Sequence, residues 1–156
     1  MLPYRSLLDR LHTQHESIDV IIRTLPHEKL VAAPVPGKWS IKDNIAHLAR
    51  YQAVFIERIN RIASGSRPLF ESYVAEHDAD FPAWQKWDLP ILLDRLYADR
   101  KYIFDLVNGL SCTQVETTGR HQRFGEMKMI EWTEFFLLHE AHHLFTIFKL
   151  AHGATS

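Results

Sequence analysis

Four segments of the chain repeat apolar residues at spacings of three, four and seven, the pattern of an amphipathic α-helix. They cover about residues 4–25, 40–63, 89–108 and 128–152. Helices of this length, each with one apolar face, can bury those faces against one another in a four-helix bundle. No segment reads convincingly as a strand. The sequence therefore predicts an all-α four-helix bundle, formed as a single domain over residues 1–156.

Local sequence signals mark the ends of these helices. Pro26 should stop the first helix, because proline lacks an N–H and clashes with the preceding turn. Ser40 and Asp43 form an S-x-x-D start for the second helix, in which the hydroxyl caps a backbone N–H and the acid faces the positive helix end. Gly109 and Gly153 are suitable stops for the third and fourth helices.

The connection between the second and third helices has an unusual composition. Aromatic residues are interspersed with acidic residues through residues 67–89, which we expect to form a long loop with a short helix. A connection of that length inside a compact domain is usually functional or packed over something. The residues concerned are Phe70, Tyr73, Phe81, Trp84 and Trp87, together with Glu71, Glu76, Asp78 and Asp80.

Composition excludes several classes of protein. Eighteen basic and nineteen acidic residues leave a formal charge of −1, which argues against a nucleic-acid binder. The single cysteine, Cys112, cannot form an internal disulfide or a cysteine-based zinc module. No apolar run is long enough for a membrane helix, and the N-terminus lacks a signal-peptide pattern, so we expect a cytoplasmic protein without membrane contacts. The ten histidines remain unexplained by these classes.

Two histidines in the fourth helix have the spacing of metal ligands. His139 and His143 lie about 40° apart around a helix, so they project from one side, which is also the apolar side. Imidazoles one turn apart can share a metal ion, whereas core histidines bonded to other side chains are the simpler alternative. The stretch also satisfies H-E-x-x-H, so a zincin-type protease with Glu140 as general base must be considered.

Other polar residues on inward faces have less decisive patterns. His47 lies about 100° from the centre of the apolar stripe of its helix, where a partly exposed histidine is the default. His15 lies on the inward stripe of the first helix as a core hydrogen-bonding residue, a supporting residue or a fourth ligand. Arg100 lies on the apolar face of the third helix, where a structural ion pair is favoured over an anionic substrate. His142 falls at the margin of the inward face.

A resemblance to a known family adds a third candidate ligand. Residues 37–48, with the sequence GKWSIKDNIAHL, resemble the G-K-W-S-x-x-[DE]-x-x-x-H-L segment of the DinB/YfiT-like superfamily. The order of helices and the closing H-x-x-x-H also match. In that family three histidines bind a divalent metal, and the matching positions are His47, His139 and His143. The resemblance implies that the remaining coordination positions are open to water or substrate, and it makes the protease interpretation less favoured.

The resemblance also implies a class of activity. It predicts a metal-dependent thiol S-transferase or hydrolase that acts on a small molecule, and a homodimer. Imidazole ligands suit zinc, nickel, copper and iron alike, and among these we expect zinc or nickel. Some members read H-H-R-G-Q where this chain has residues 142–146 as HHLFT, so a specific activity is harder to transfer. His15, Arg100, Glu140 and His142 are candidates for supporting the metal or binding substrate.

Two further hypotheses remain open. The chain could be a non-catalytic metal-binding or stress-response module with a structural metal, which a closed fourth protein ligand would favour. It could also be a helical interaction domain without metal, in which packing or hydrogen bonds to other side chains occupy His139 and His143.

Overall fold

The computed structural model describes residues 4–154, which are mostly helical. The first helical column is broken into α1 (Arg5–Thr13), a 3-10 turn (Gln14–Glu16) and α2 (Ser17–Ile22). A short helix, α3 (His27–Val31), follows Pro26.

The second column is one long helix, α4 (Ile41–Ala63). Its start follows the predicted S-x-x-D pattern: the Ser40 hydroxyl accepts from the backbone N–H of Asp43, and the Asp43 carboxylate accepts from the backbone N–H of Ser40. This reciprocal capping box satisfies two helix-end donors, and it fixes where the helical register of α4 begins.

The connection that follows contains β1 (Leu69–Phe70), a 3-10 turn (Ala75–His77) and α5 (Phe81–Lys86). The third column is α6 (Leu89–Asn108), with the limits that the sequence predicted.

The C-terminal third holds α7 (Cys112–Val115), a hairpin of β2 (Thr118–His121) and β3 (Gly125–Lys128), and α8 (Met129–Ala151). Helix α8 is the fourth column.

The four columns pack with α4 at the centre. Helix α4 contacts both α6 and α8, α1 packs on α6, and α2 packs on α8. Two apolar clusters fill the two halves of the interior. Near the middle, between the clusters, each column contributes one buried polar residue, and these are His15, Gln52, Arg100 and Glu140. A polar layer therefore crosses the bundle at half its height.

The expectation of no β-structure was wrong. Strands β1, β2 and β3 form a three-stranded sheet in which β1 pairs parallel and β3 antiparallel with β2. The strands are two to four residues long, too short to show the apolar alternation by which strands are recognised. The ring of His121 accepts backbone N–H groups of Arg123 and Phe124, which stabilises the tight turn of the hairpin.

The first helix was predicted as continuous, but the structure breaks it. Its apolar spacing is helical throughout, but the 3-10 turn interrupts it where the Gln14 side chain donates to the carbonyl of Leu137 and to Glu140. The Ser17 hydroxyl donates to the carbonyl of Gln14 at the same point. Hydrogen bonds to α8 thus compete with the backbone bonds of a continuous α-helix. The apolar spacing of the first segment carries no information about these long-range bonds.

Within residues 4–154, no helix combines the length and the apolar character that crossing a membrane requires.

Candidate metal centre

Three histidines from two helices meet inside the bundle. His47 lies near the start of α4, and His139 and His143 lie one turn apart in the middle of α8. Because α4 packs against α8, one ring nitrogen from each histidine lies within 4.8 Å of the others. We call these residues the three-histidine cluster. They are the residues that the family resemblance singles out.

Hydrogen bonds define how two of the rings are held. Nδ1 of His143 lies 3.0 Å from Oδ1 of Asn44, whose Nδ2 donates to the carbonyl of Ser40. Because that amide nitrogen is already engaged, Oδ1 accepts and Nδ1 of His143 carries the proton. Nε2 of His143 therefore keeps a free lone pair, as a metal ligand must.

The other two rings face each other directly. Nε2 of His47 and Nε2 of His139 are 3.0 Å apart. Nδ1 of both rings is buried without a hydrogen-bond partner among residues 4–154. Among these residues, His139 thus bonds only to another member of the cluster, so hydrogen bonding to other side chains does not account for its position.

Burial keeps the cluster neutral. It lowers the pKa of His47 to about 2, that of His139 to about 3 and that of His143 to about 4, with smaller contributions from neighbouring histidines. Since a protonated imidazole cannot coordinate a metal, this environment maintains the form that can.

The donor set fits a divalent metal. Tetrahedral zinc with Zn–N bonds of 2.0–2.1 Å places two ligand nitrogens about 3.3 Å apart. The His47–His139 pair is slightly closer than this, and no two ligand nitrogens of the cluster are more than 4.8 Å apart, so small side-chain adjustments would suffice. No fourth histidine, cysteine or acid joins the cluster among the described residues. In catalytic metal sites the protein typically supplies three ligands and leaves the remaining coordination positions to water or substrate.

Aromatic side chains enclose His47, which corrects the expectation of an edge position. Its ring centroid lies 5.0 Å from that of Trp39, 5.8 Å from Tyr73 and 6.0 Å from Phe81. The residue is only 4% exposed. Phe81 and Tyr73 belong to the connection between α4 and α6, which covers a second face of α4. A helical wheel of α4 shows which side chains face the other helical columns. It does not show that a connecting segment buries another face of the helix.

Sequence reasoning missed Asn44 and Tyr51. Asn44 holds His143, and the ring centroid of Tyr51 lies 4.2 Å from that of His139. These residues are three before and four after His47, so they share its helix face. That spacing is the signal by which they could have been found.

The cluster borders a cavity at one side. Its volume is about 400 Å³, and its walls include Trp39, Asn44, His142 and His143. The rings of His142 and His143 are 5.2 Å apart. A small molecule in this cavity would reach the cluster through His143.

The remaining candidates belong to the polar layer. Arg100 and Glu140 are each 1% exposed and form an ion pair, so the favoured structural interpretation of Arg100 agrees with the structure. Nη1 of Arg100 also lies 3.3 Å from Nδ1 of His15, which therefore has the core hydrogen bond rather than a place in the cluster. Glu140 accepts from Arg100, Gln14 and Gln52. With its oxygens engaged in this way, it is not available as the general base of a zincin.

Comparisons with known proteins agree with this architecture. The sequence model of the DinB superfamily matches residues 10–147. Among solved structures, YfiT from Bacillus subtilis matches with a TM-score of 0.79 and 16% identity, over 96% of this chain and 87% of that one. It is described as a probable metal-dependent hydrolase with an unusual four-helix bundle topology. At this identity the likeness establishes the fold. No curated protein matches the sequence significantly.

Proposed function

The chain belongs to the DinB superfamily, and from this premise we propose that it is a metal-dependent enzyme for a small-molecule substrate. His47, His139 and His143 bind a divalent metal, with zinc or nickel expected first. One observation supports this most directly. One buried and two partly buried neutral imidazoles converge beside an open cavity, and no fourth protein ligand closes the group among residues 4–154.

Each residue around the cluster has a definable task. The three imidazoles hold the ion, and Asn44 orients His143 and keeps its proton on Nδ1. Trp39, Tyr73 and Phe81 exclude water from the side of His47. A bound divalent metal supplies Lewis acidity and lowers the pKa of a water or thiol at the site.

Two reaction types fit this chemistry, hydrolysis and transfer of a low-molecular-weight thiol. Hydrolysis is our first choice, because the structurally similar YfiT is described as a probable hydrolase. The thiol reaction rests on the family resemblance of the sequence. His142 lines the cavity next to His143, and we assign to it contact with the substrate.

Metal analysis and activity assays test the proposal together. We expect one zinc or nickel ion per chain after purification without chelator and resupply of divalent metals. His139→Ala and His143→Ala should lose that ion, whereas His27→Ala, a change of an exposed histidine in α3, should keep it. A wild-type protein that binds no stoichiometric metal contradicts the proposal.

The assay also separates catalysis from a structural metal. The loaded protein is incubated with p-nitrophenyl esters, and separately with cysteine and an aryl chloride. Turnover that disappears in His143→Ala supports the enzyme. Stoichiometric metal without turnover over a broad panel supports instead the non-catalytic metal-binding or stress-response module.

We also propose that the enzyme is a homodimer assembled through α8. Leu138, Ala141, Phe145 and Phe148 lie at alternating spacings of three and four and form an exposed apolar stripe on this helix. Leu138 and Phe145 are 64% and 62% exposed. Such spacing is that of a helix–helix seam.

The stripe is complementary to a second, antiparallel copy of itself. In such a pair the small Ala141 lies opposite Phe145, Leu138 lies opposite Phe148, and Glu134 lies opposite His152. Light scattering during gel filtration should show a dimer that Phe145→Glu converts to a monomer. Val20→Glu, on another exposed apolar position, should leave it intact. A monomeric wild type refutes the dimer.

A further inference from the structure

The cavity beside the three-histidine cluster has an excess of positive charge. Two lysines, Lys38 and Lys149, lie in its wall together with one acid, Glu76. Neither lysine forms an ion pair with any residue between positions 4 and 154. Unpaired cations that line a concave surface attract and retain anions.

We propose that this cavity binds its substrate through an anionic group, a carboxylate or a phosphate, held between Lys38 and Lys149. The proposal rests on the metal-dependent function above and names the substrate class of that site. The anion anchors one end of the molecule, and the rest extends toward His143. A volume of about 400 Å³ suits a small metabolite rather than a polymer.

The two lysines come from separate elements but line the same cavity, so both can contribute to binding one anion there. Lys38 lies in the loop before α4, directly before Trp39, and Lys149 lies in the last turn of α8. The ammonium of Lys149 lies 5.2 Å from the ring centroid of Phe145. A cation–π contact is weaker than a charge-assisted hydrogen bond to an anion, so the ammonium of Lys149 can turn from Phe145 to a bound anion.

Trp39 determines what else the substrate can contain. Its indole is nearly parallel to the ring of His143, with centroids 6.1 Å apart and 27° between the planes, and it also lines the cavity. It therefore offers an apolar surface between the lysines and the cluster. An acidic molecule with a flat or apolar body matches both features.

Calorimetry with defined probes tests this assignment. The probes are 3-phenylpropionate, phenyl phosphate and the neutral 3-phenylpropanol, titrated into zinc-loaded and into metal-free protein. We expect both anions to bind more tightly than the alcohol. The variant Lys38→Met/Lys149→Met should weaken anion binding at least tenfold and leave the alcohol unchanged. The carboxylate and phosphate titrations show which anion the site prefers.

Two single variants test whether the charge in the cavity wall controls anion affinity. Glu76→Gln removes the one acid in the wall and should tighten anion binding about twofold, since it relieves a like-charge repulsion. Lys86→Met, on an exposed lysine in α5, should leave the affinities for all three probes unchanged. The double lysine variant should lose anion affinity in the metal-free protein as well. That result would show that the lysines bind the anion independently of its coordination by a metal.

Three results would overturn the assignment. They are equal anion affinity in the double lysine variant and the wild type, preference of the wild type for the alcohol, and no measurable binding of either anion. If the wild type still binds one metal ion in these cases, the metal-dependent function stands and only the substrate class is wrong. If it binds no metal, the proposed function fails, whatever the anions do.

Discussion

Replacing Glu140 with methionine should be one of the most damaging single changes in the bundle. The carboxylate is 1% exposed and accepts from the guanidinium of Arg100, from Gln14 at 3.0 Å and from Gln52 at 3.4 Å. Methionine has a similar length and fits an irregular core. The change therefore removes the charge and the hydrogen bonds while leaving only a small difference in volume.

The magnitude follows from the charge left behind. Without Glu140, the guanidinium of Arg100 is buried with only neutral partners, the carbonyl of Leu11, Gln52 and His15. Breaking a buried pair by removing one partner costs about 3–5 kcal/mol. Arg100→Met should cost a similar amount, because it strands the carboxylate with two amides. In Arg100→Met/Glu140→Met no charge is stranded, so we expect a cost below that of either single variant.

Urea denaturation of the metal-free protein measures all three free energies of unfolding. Equal slopes in the four titrations would show that the unfolding transitions are comparable. We expect a coupling energy of at least about 2 kcal/mol between the two positions. A double variant that costs the sum of the singles, or a Glu140→Met cost below about 1 kcal/mol, would refute the idea that the mutual charge compensation holds this layer together.

Three further outcomes are expected. Asn44→Leu should weaken zinc binding about 10–100-fold in a chelator competition, because His143 loses the acceptor that orients it, and Asn44→Asp should retain most of the affinity. Burial, and next the charge of Arg100, lower the pKa of His15 to about 3. At pH 5 His15 therefore carries a proton in the unfolded chain but not in the folded protein. When the pH is lowered from 7 to 5, the free energy of unfolding of the metal-free wild type should fall by up to about 2 kcal/mol more than that of His15→Gln, as measured by urea titration. A parallel decline in both proteins would contradict this sign. Gly119→Ala should lower the free energy of unfolding by about 1–3 kcal/mol, and with it the melting temperature, since a Cβ there would lie 2.8 Å from the Ile62 side chain. An unchanged melting temperature would show that the contact relaxes freely.

The long helices were predictable because their causes are local. The apolar spacing of α6 gave the limits that the structure has, and the capping residues Ser40 and Asp43 marked the start of α4. Capping and one-sided apolar faces depend on residues within a few positions of each other. A single sequence contains that information directly.

The candidate site was predictable in part. His139 and His143 share a helix face by spacing alone, so their pairing follows from helical geometry. His47 was not selected by its own helix, and only the family resemblance identified it. Its burial depends on Phe81 and Tyr73, which approach from a connection whose path is set by long-range packing. The short strands were missed for the same reason, since their pairing rather than their composition defines them.

By itself, then, the sequence determined the helical columns, their apolar faces and the pairing of His139 with His143. Tertiary structure alone decided that Glu140 meets Arg100 in the polar layer instead of serving as a base, and that Asn44 holds His143. It also decided that Lys38 and Lys149 share a cavity with the cluster. The physical reason is that helix periodicity assigns each side chain a direction, whereas the packing of α4, α6 and α8 determines which side chains it meets there.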